Sequence, residues 1–238
     1  MNTKLTPNGL PKIQRGHRAF TLIELLATVA IVGVLAALLL PAYSNIRGAG
    51  LRSQCSANLK GLATAGLLYA AEHNGAFPAE DERTNPWEVG GEPPTKNSKD
   101  MPLYPYVEGA VKIFRCPADT VPHGTAAWEN KPFYKITGSS YFYNSWVGTK
   151  PTKKGDPNAG LVWKRVTDIS KPSKMVFFSD QDGRAMGYGG DNWKSFTLWW
   201  HAIPDKPLRA NFAFVDGSVR FIEVVEGYKN KEYIFYNE

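Results

Sequence analysis

The pattern of apolar and polar positions divides the chain into distinct segments. Residues 20–40 form an apolar run in which Glu24 is the sole charged side chain. A helix of this length rises about 32 Å at 1.5 Å per residue, enough to cross a bilayer core of about 30 Å. All the basic residues of positions 1–19 precede the run, and that segment has no acid. The pattern predicts a membrane-spanning helix whose N-terminus stays in the cytoplasm.

A second helical pattern follows Pro41. Apolar or small residues recur there at intervals of three or four positions, which predicts one buried stripe on a helix. Gly75 is typical of a helix C-terminus. Because proline bends a helix, residues 20–74 are expected to form one helix bent at Pro41, with an apolar first half and an amphipathic second half. The predicted stripe consists of Leu51, Cys55, Leu59, Leu62, Gly66 and Tyr69.

Beyond residue 75 the pattern changes to short alternating runs between loops rich in Gly and Pro. Such runs are typical of short β-strands. The expected fold class is α+β, with a long N-terminal helix packed on a small antiparallel sheet that has long loops. The strand candidates are residues 111–114, 140–147, 174–179 and 211–222.

The last candidate contains a strong turn signal. Asp-Gly at 216–217 lies between two alternating apolar runs, which predicts a hairpin with a two-residue turn. In that register Phe214 faces Val219, and Phe212 faces Phe221. All four side chains would then lie on one face of the sheet, against the core.

The charge of the chain is concentrated in its first residues. The net charge is +6, from 28 basic and 22 acidic residues. Residues 1–19 supply +4, which leaves 24 basic and 22 acidic residues, or +2, for the remainder. A nucleic-acid partner would require a basic face on the folded domain. The charge distribution therefore gives no support for nucleic-acid binding.

Two simple interpretations of the apolar run, a secretory signal peptide and a plain signal-anchor, do not account for all its features. A secretory signal peptide has a shorter core and a small-residue cleavage site, whereas this run ends in three leucines and Pro41. A plain signal-anchor explains the length of the run but not an acid near its start. A charged residue at the centre of a membrane helix costs about 2.5–3.5 kcal/mol on insertion scales, so a specific role for Glu24 is expected.

Residues 15–41 resemble the N-terminal cleavage and methylation motif of type IV pilins and type II secretion pseudopilins. The order is basic, small, aromatic, Thr, Leu, Ile, Glu and then an apolar helix. The resemblance implies that a prepilin peptidase cuts between Ala19 and Phe20 and methylates the new amine of Phe20. It also implies that Glu24 of an incoming subunit pairs with the Phe20 amine of a neighbour in a filament. Ala19 stands where the family most often has Gly.

The resemblance implies a structural subunit rather than an enzyme. Its expected divisions are a cleaved leader at 1–19, a transmembrane helix at 20–40, an amphipathic continuation at 41–74 and a head at 75–238. The expected location is the bacterial inner membrane in a single pass, with a cytoplasmic N-terminus and a periplasmic or extracellular head. The expected partners are the prepilin peptidase and other pilin or pseudopilin subunits. A type IV pilus and a type II secretion filament both fit this expectation.

The head resembles, more loosely, a pilin-like subgroup with a processing-associated His-x-Asp-Gly motif. Residues 114–119, 139–144 and 172–177 recur in that order in the subgroup. His201 precedes the Asp-Gly pair with 14 intervening residues, a longer gap than is typical of the subgroup.

The two cysteines, Cys55 and Cys116, permit one intramolecular disulfide in an exported protein. The alternative is a pair of buried thiols that act as small hydrophobic groups. Two cysteines are too few ligands for a zinc site without help from histidine.

A calcium site is one interpretation of the segment that begins at Asp180. Asp180 and Asp182 resemble the start of a calcium loop, but Asp191 stands at the twelfth position, where an EF-hand has Glu. Major pseudopilins bind calcium in a C-terminal loop, so the resemblance implies Asp180, Asp182 and Asp191 as candidate ligands. The alternative is a turn with solvated carboxylates, and no other cofactor is expected.

Two further functions use the same region of the sequence. Trp193, Trp199 and Trp200 would suit a membrane-anchored module that binds polysaccharide, although core packing is the more common use of such residues. A hydrolase would recruit His201 with Asp180, Asp182 or Asp216. The sequence has neither a Gly-x-Ser-x-Gly elbow nor a His-Glu-x-x-His helix, so catalysis is not expected.

Overall fold

The computed structural model describes parts of both units into which the chain divides, Met1–Ile46 and Arg47–Glu238. Helix α1, Leu22–Glu72, contributes residues to both units and is helical through Pro41. A second helix, α2, is one short turn at Tyr134–Thr137. The described residues are 20–78, 101–107, 110–120, 132–145, 159–180, 201, 207–225 and 231–236.

Helix α1 ends where the sequence predicts. The last helical residue is Glu72, and Asn74 and Gly75 have positive φ angles of 56° and 78°. The amide of Gly75 donates a hydrogen bond to the carbonyl of Ala70 at 2.7 Å, which satisfies one of the last helical carbonyls. Glycine adopts this backbone conformation without the steric penalty of a side chain, so the chain turns here toward the sheet.

Within the described residues, the head contains an antiparallel sheet of four strands in the order β1-β2-β3-β4. Every neighbouring pair is antiparallel, so the predicted α+β class with a small antiparallel sheet is confirmed. The strands are β1 at Phe142–Tyr143, β2 at Val176–Ser179, β3 at Arg209–Phe214 and β4 at Val219–Glu223.

The sheet buries side chains on both faces. One face packs on α1, where Gly66 lies so close to the ring of Phe177 that a β-carbon at this position would overlap it. The other face packs on the C-terminal segment, where the rings of Phe212 and Tyr233 stack at 5.2 Å between centroids. Because both faces are covered, all four residues of β2 are buried. Of the predicted α1 stripe, Cys55, Leu59, Leu62 and Gly66 are buried, and Leu51 and Tyr69 are partly buried.

The predicted register of the hairpin is wrong by one residue. Phe212 pairs with Arg220, and Ala213 pairs with Val219, so the turn has three residues instead of two. Gly217 has a φ of 79°, and the amide of Phe214 donates to the carbonyl of Ser218 at 2.9 Å. A three-residue loop with its last residue in the left-handed region is the next most common hairpin connection. Phe212 therefore lies on the face toward Tyr233, opposite the face that α1 covers.

The first predicted strand is also wrong. Val111–Phe114 forms a 3-10 turn, which buries Phe114 and brings Ile113 against Gly61 of α1. Four alternating residues are too short a run for their periodicity to distinguish a strand from a helical turn. Of the candidate at 140–147, only Phe142–Tyr143 is a strand, and residues 146–147 lie outside the described residues.

Candidate functional site

Thr21 and Glu24 close the N-terminus of α1. Oε2 of Glu24 accepts hydrogen bonds from the amide of Thr21 at 2.9 Å and from its Oγ1 at 2.8 Å. In return, the amide of Glu24 donates to Oγ1 of Thr21 at 3.3 Å. This reciprocal arrangement is a capping box, which satisfies free amides in the first turn of the helix. Glu24 therefore has a role within its own chain.

The sequence pattern Thr-x-x-Glu before an apolar run is the signal for this cap, and it identifies Thr21 as a functional residue that the motif-based interpretation did not single out. Both hydrogen bonds to the side chain of Glu24 fall on Oε2. A carboxylate has about four acceptor positions on its two oxygens. The cap is therefore compatible with a further partner for Glu24 from another subunit.

The side chains that follow Glu24 form an exposed apolar surface. Phe20 is 81% exposed, and none of the helical segment Leu22–Leu39 is buried. This 18-residue segment has a mean hydropathy of 2.6 and is, among the described residues, the one helical stretch long and apolar enough to cross a membrane. Ala19, on the other side of the predicted cleavage site, lies outside the described residues.

The structure brings the two cysteines together in the core of the head. A disulfide joins Cys55 of α1 to Cys116, with their Cα atoms 5.1 Å apart, and both residues are fully buried. Nearby, Nδ2 of Asn58 on α1 donates to the carbonyl of Arg115 at 2.8 Å. A covalent bond and a hydrogen bond therefore hold the segment around Cys116 against α1.

His201 and Asp180 lie beside the disulfide. Nε2 of His201 is 3.3 Å from Sγ of Cys116 and 3.4 Å from Oδ2 of Asp180. The side chain of His201 is 5% exposed, and that of Asp180 is 3% exposed. Asn211 on β3 donates to both oxygens of Asp180, from its amide at 2.9 Å and from Nδ2 at 2.7 Å. This cluster, which we call the sulfur–histidine cluster, consists of Cys55, Cys116, Asp180 and His201.

Burial shifts the protonation of both titratable side chains toward their neutral forms. It raises the pKa of Asp180 to about 7, although the hydrogen bonds from Asn211 act in the opposite direction. Burial, together with the positive charge of Arg52, lowers the pKa of His201 to about 4. The imidazole is therefore neutral at pH 7, and its contact with Asp180 is not an ion pair.

A cavity of about 670 Å³ lies next to the sulfur–histidine cluster, and His201 forms part of its wall. Arg52 and Arg209 flank the ring of Phe221 in this wall, with their guanidinium carbons 4.7 and 4.8 Å from the ring centroid. Such cation–π contacts orient both side chains. The other lining residues are Pro207, Ile222, Glu223, Lys231 and Glu232.

Asp119 is a buried acid that sequence reasoning did not identify as a structural residue. Its carboxylate accepts hydrogen bonds from the amides of Phe133 and Tyr134, both at 2.9 Å, and from Oγ of Ser140 at 2.7 Å. These contacts hold Asp119 against the start of α2 and against the segment that precedes β1. The sequence carries no local signal for them, because donor and acceptor are 14 to 21 positions apart.

The remaining candidate residues stay predictions. Asp182 and Asp191, the calcium candidates besides Asp180, lie outside the described residues, as do Trp193, Trp199 and Trp200. Asp216, a candidate partner of His201 in a hydrolase, instead accepts hydrogen bonds from the amide and hydroxyl of Ser218 at 2.8 and 2.6 Å. These contacts give Asp216 a role in the hairpin turn.

Comparisons with known proteins agree with the resemblance in the N-terminal sequence. The family model for the prokaryotic N-terminal methylation motif matches residues 14–40. Type IV major pilin protein PilA of Myxococcus xanthus (strain DK1622) is 29% identical over an alignment of 170 residues, which covers 61% of this chain and 70% of that pilin. No solved structure shows significant similarity to the chain. In its methylation motif, its α+β fold and its sequence similarity to a major pilin, the chain resembles type IV pilins.

Proposed function

We propose that the chain is a structural subunit of a type IV pilin-like filament. A prepilin peptidase cuts it between Ala19 and Phe20 and methylates the new amine of Phe20. The observation that carries this proposal is the exposed apolar segment Leu22–Leu39, which begins at a methylation motif and contains one acid near its start. In solution such a surface would expose far more contiguous apolar area than a monomeric protein tolerates.

The exposed surface requires two successive environments. Before assembly, the bilayer covers the side chains of this segment, because the helix is long enough to span the hydrocarbon core. After assembly, the same side chains pack against equivalent helices of neighbouring subunits. Both states keep the apolar surface away from water, so moving from membrane to filament requires little loss of hydrophobic free energy.

The capped Glu24 supplies the specificity that apolar packing lacks. Cleavage creates a positive amine at Phe20, and Glu24 of an adjacent subunit provides the complementary charge. An unpaired charge in an apolar environment is strongly unfavourable, so a helix that leaves Glu24 or the Phe20 amine unpaired is disfavoured. Pairing between neighbours therefore sets the axial register of the filament.

The proposed orientation places the basic leader in the cytoplasm and the head on the other side of the inner membrane. The disulfide between Cys55 and Cys116 supports this orientation, because structural disulfides persist in oxidising compartments such as the periplasm. A surface pilus and a type II secretion filament are both compatible with this topology.

Expression in a host that has a prepilin peptidase and a pilus assembly system tests this function. We expect the chain in the filament fraction released by mechanical shearing, and we expect it to remain in the membrane when the assembly ATPase is inactivated. If the chain belongs to a secretion filament, it should enter the filament fraction in a host that has only a type II system, and it should stay in the membrane when the assembly ATPase of that system is inactivated. A chain that stays in the membrane with either complete system would contradict the proposal.

A further inference from the structure

The sulfur–histidine cluster gathers metal-ligating atoms from distant parts of the chain. The Sγ atoms of Cys55 and Cys116 and a ring nitrogen of His201 all lie within 4.8 Å of one another. Oδ2 of Asp180 lies outside this group but is 3.4 Å from Nε2 of His201, so it is the nearby oxygen that could provide a fourth ligand. The two cysteines alone are too few for zinc, and the fold supplies the histidine and the carboxylate that complete four ligands.

Two of the separations around Nε2 of His201 suit a tetrahedral zinc ion. Zinc binds Cys sulfur at about 2.3 Å, His nitrogen at about 2.0–2.1 Å and carboxylate oxygen at about 2.0–2.2 Å, so ligand atoms around it lie about 3.4–3.8 Å apart. The separations of 3.3 Å between Nε2 of His201 and Sγ of Cys116, and of 3.4 Å between the same Nε2 and Oδ2 of Asp180, are close to this range. Binding also requires that the two sulfur atoms, which are bonded to each other in the disulfide, separate after reduction.

The surroundings of the cluster resemble the outer shell of a metal site. Asn211 donates to both oxygens of Asp180 and so fixes the orientation of the carboxylate. Hydrogen bonds of this kind position the ligands in established metal sites. The burial of Cys55 and Cys116 keeps bulk water away from the sulfur atoms.

The charges around the cluster and the adjacent cavity are also compatible with a bound zinc ion. Two thiolates, one carboxylate and Zn²⁺ sum to one negative charge. Arg52 acts electrostatically on His201 and supplies a positive charge that compensates for it. His201 and Arg52 both line the cavity of about 670 Å³, which gives an ion a path to the cluster.

We propose that Cys55, Cys116, His201 and Asp180 form a zinc-binding site when the disulfide is reduced. A dithiol reductant gives up two electrons and two protons and becomes a disulfide, while the Cys55–Cys116 bond breaks into two thiols. Zn²⁺ then displaces the two thiol protons and binds both sulfurs, Nε2 of His201 and a carboxylate oxygen of Asp180. Cys55 and Cys116 in the core of the head can therefore be linked in two mutually exclusive ways, by a disulfide or through a shared zinc ion.

The test uses the full chain purified in detergent. One sample is reduced with dithiothreitol, which is removed under anaerobic conditions before Zn²⁺ is added, and a second sample stays oxidised. Metal analysis after gel filtration should find one zinc ion per reduced chain and none in the oxidised chain. With Co²⁺ in place of Zn²⁺, the reduced chain should show the charge-transfer absorption of thiolate-bound cobalt.

Three variants distinguish the site from adventitious binding. His201→Ala should weaken zinc binding by at least about 100-fold, and Asp180→Asn should weaken it by about 10- to 100-fold. His73→Ala, which changes an exposed histidine at the end of α1, should leave the affinity unchanged. Near-UV circular dichroism of the oxidised variants verifies that they are folded.

Several results would overturn the zinc site. These are equal zinc binding by the reduced and oxidised chains, no binding by the reduced chain, and full affinity in the His201→Ala variant. Zinc bound by a reduced chain without the near-UV signal of its aromatic core would also overturn it, because the ion would then be held by unfolded cysteines. A reduced chain that binds zinc and regains this signal supports the site.

Discussion

Replacing Glu24 with Val should abolish filament assembly and leave membrane insertion intact. The substitution removes an acid from an apolar helix, and insertion should become more favourable by up to about 2.5–3.5 kcal/mol. In the filament, however, the Phe20 amine of the neighbouring subunit loses its carboxylate and remains as an unpaired charge among apolar side chains. Removing one partner of a buried ion pair costs about 3–5 kcal/mol, which is a reduction in assembly of more than about 100-fold. Quantifying the chain in sheared and membrane fractions measures both effects.

Thr21→Ala is the matched control for this experiment. It removes the hydroxyl that takes part in the capping box but keeps the carboxylate of Glu24. Loss of a cap costs about 0.5–2 kcal/mol, so assembly of this variant should fall much less than that of Glu24→Val. If both variants fail to the same extent, the cap and not the intermolecular pair is the essential role of Glu24. Normal filaments from Glu24→Val would remove the assembly role altogether.

Removing the disulfide should destabilise the head by about 4 kcal/mol. The bridge spans 61 positions of sequence, and a closed loop of this size restricts the unfolded chain by about that amount in the chain-entropy account. Guanidinium unfolding of a Cys55→Ala/Cys116→Ala double variant, followed by near-UV circular dichroism in detergent, measures the loss. The near-UV signal reports on the head because packed aromatic rings, such as those of Phe177 and Phe178, lie there.

Chemical reduction of the wild-type chain provides an independent control. In the presence of a chelator, which keeps zinc from closing the same site, the reduced chain should unfold at the same denaturant concentration as the double variant. An unchanged free energy of unfolding in both samples would show that noncovalent packing alone holds the segment around Cys116 on α1.

The parts of the fold that depend on local signals could be predicted from the sequence. The apolar run predicted the exposed segment of α1, and Gly75 predicted where that helix ends. The residues of β2 were predicted because a compact apolar run ends at Asp180. Each of these signals lies within a few positions of the feature that it predicts.

Features that depend on the exact backbone conformation or on contacts between distant residues were missed. The hairpin register follows from a left-handed backbone at Gly217, and Asp-Gly, which favours a two-residue turn, is also compatible with a three-residue loop that ends in such a glycine. The sulfur–histidine cluster joins residues from α1, from the end of β2 and from a loop, and no sequence spacing places His201 beside Cys116. Such contacts are set by how the sheet packs on α1.

Intact-mass spectrometry of the chain after co-expression with a prepilin peptidase tests the central claim most directly. We expect a mass that lacks residues 1–19 and carries one additional methyl group, with fragment ions that place the methyl on the amine of Phe20. The same chain expressed with a catalytically inactive peptidase should keep its full mass. An unprocessed chain in the presence of the active enzyme, or a cut after residue 40, would contradict the assignment of this protein as a processed pilin-like subunit.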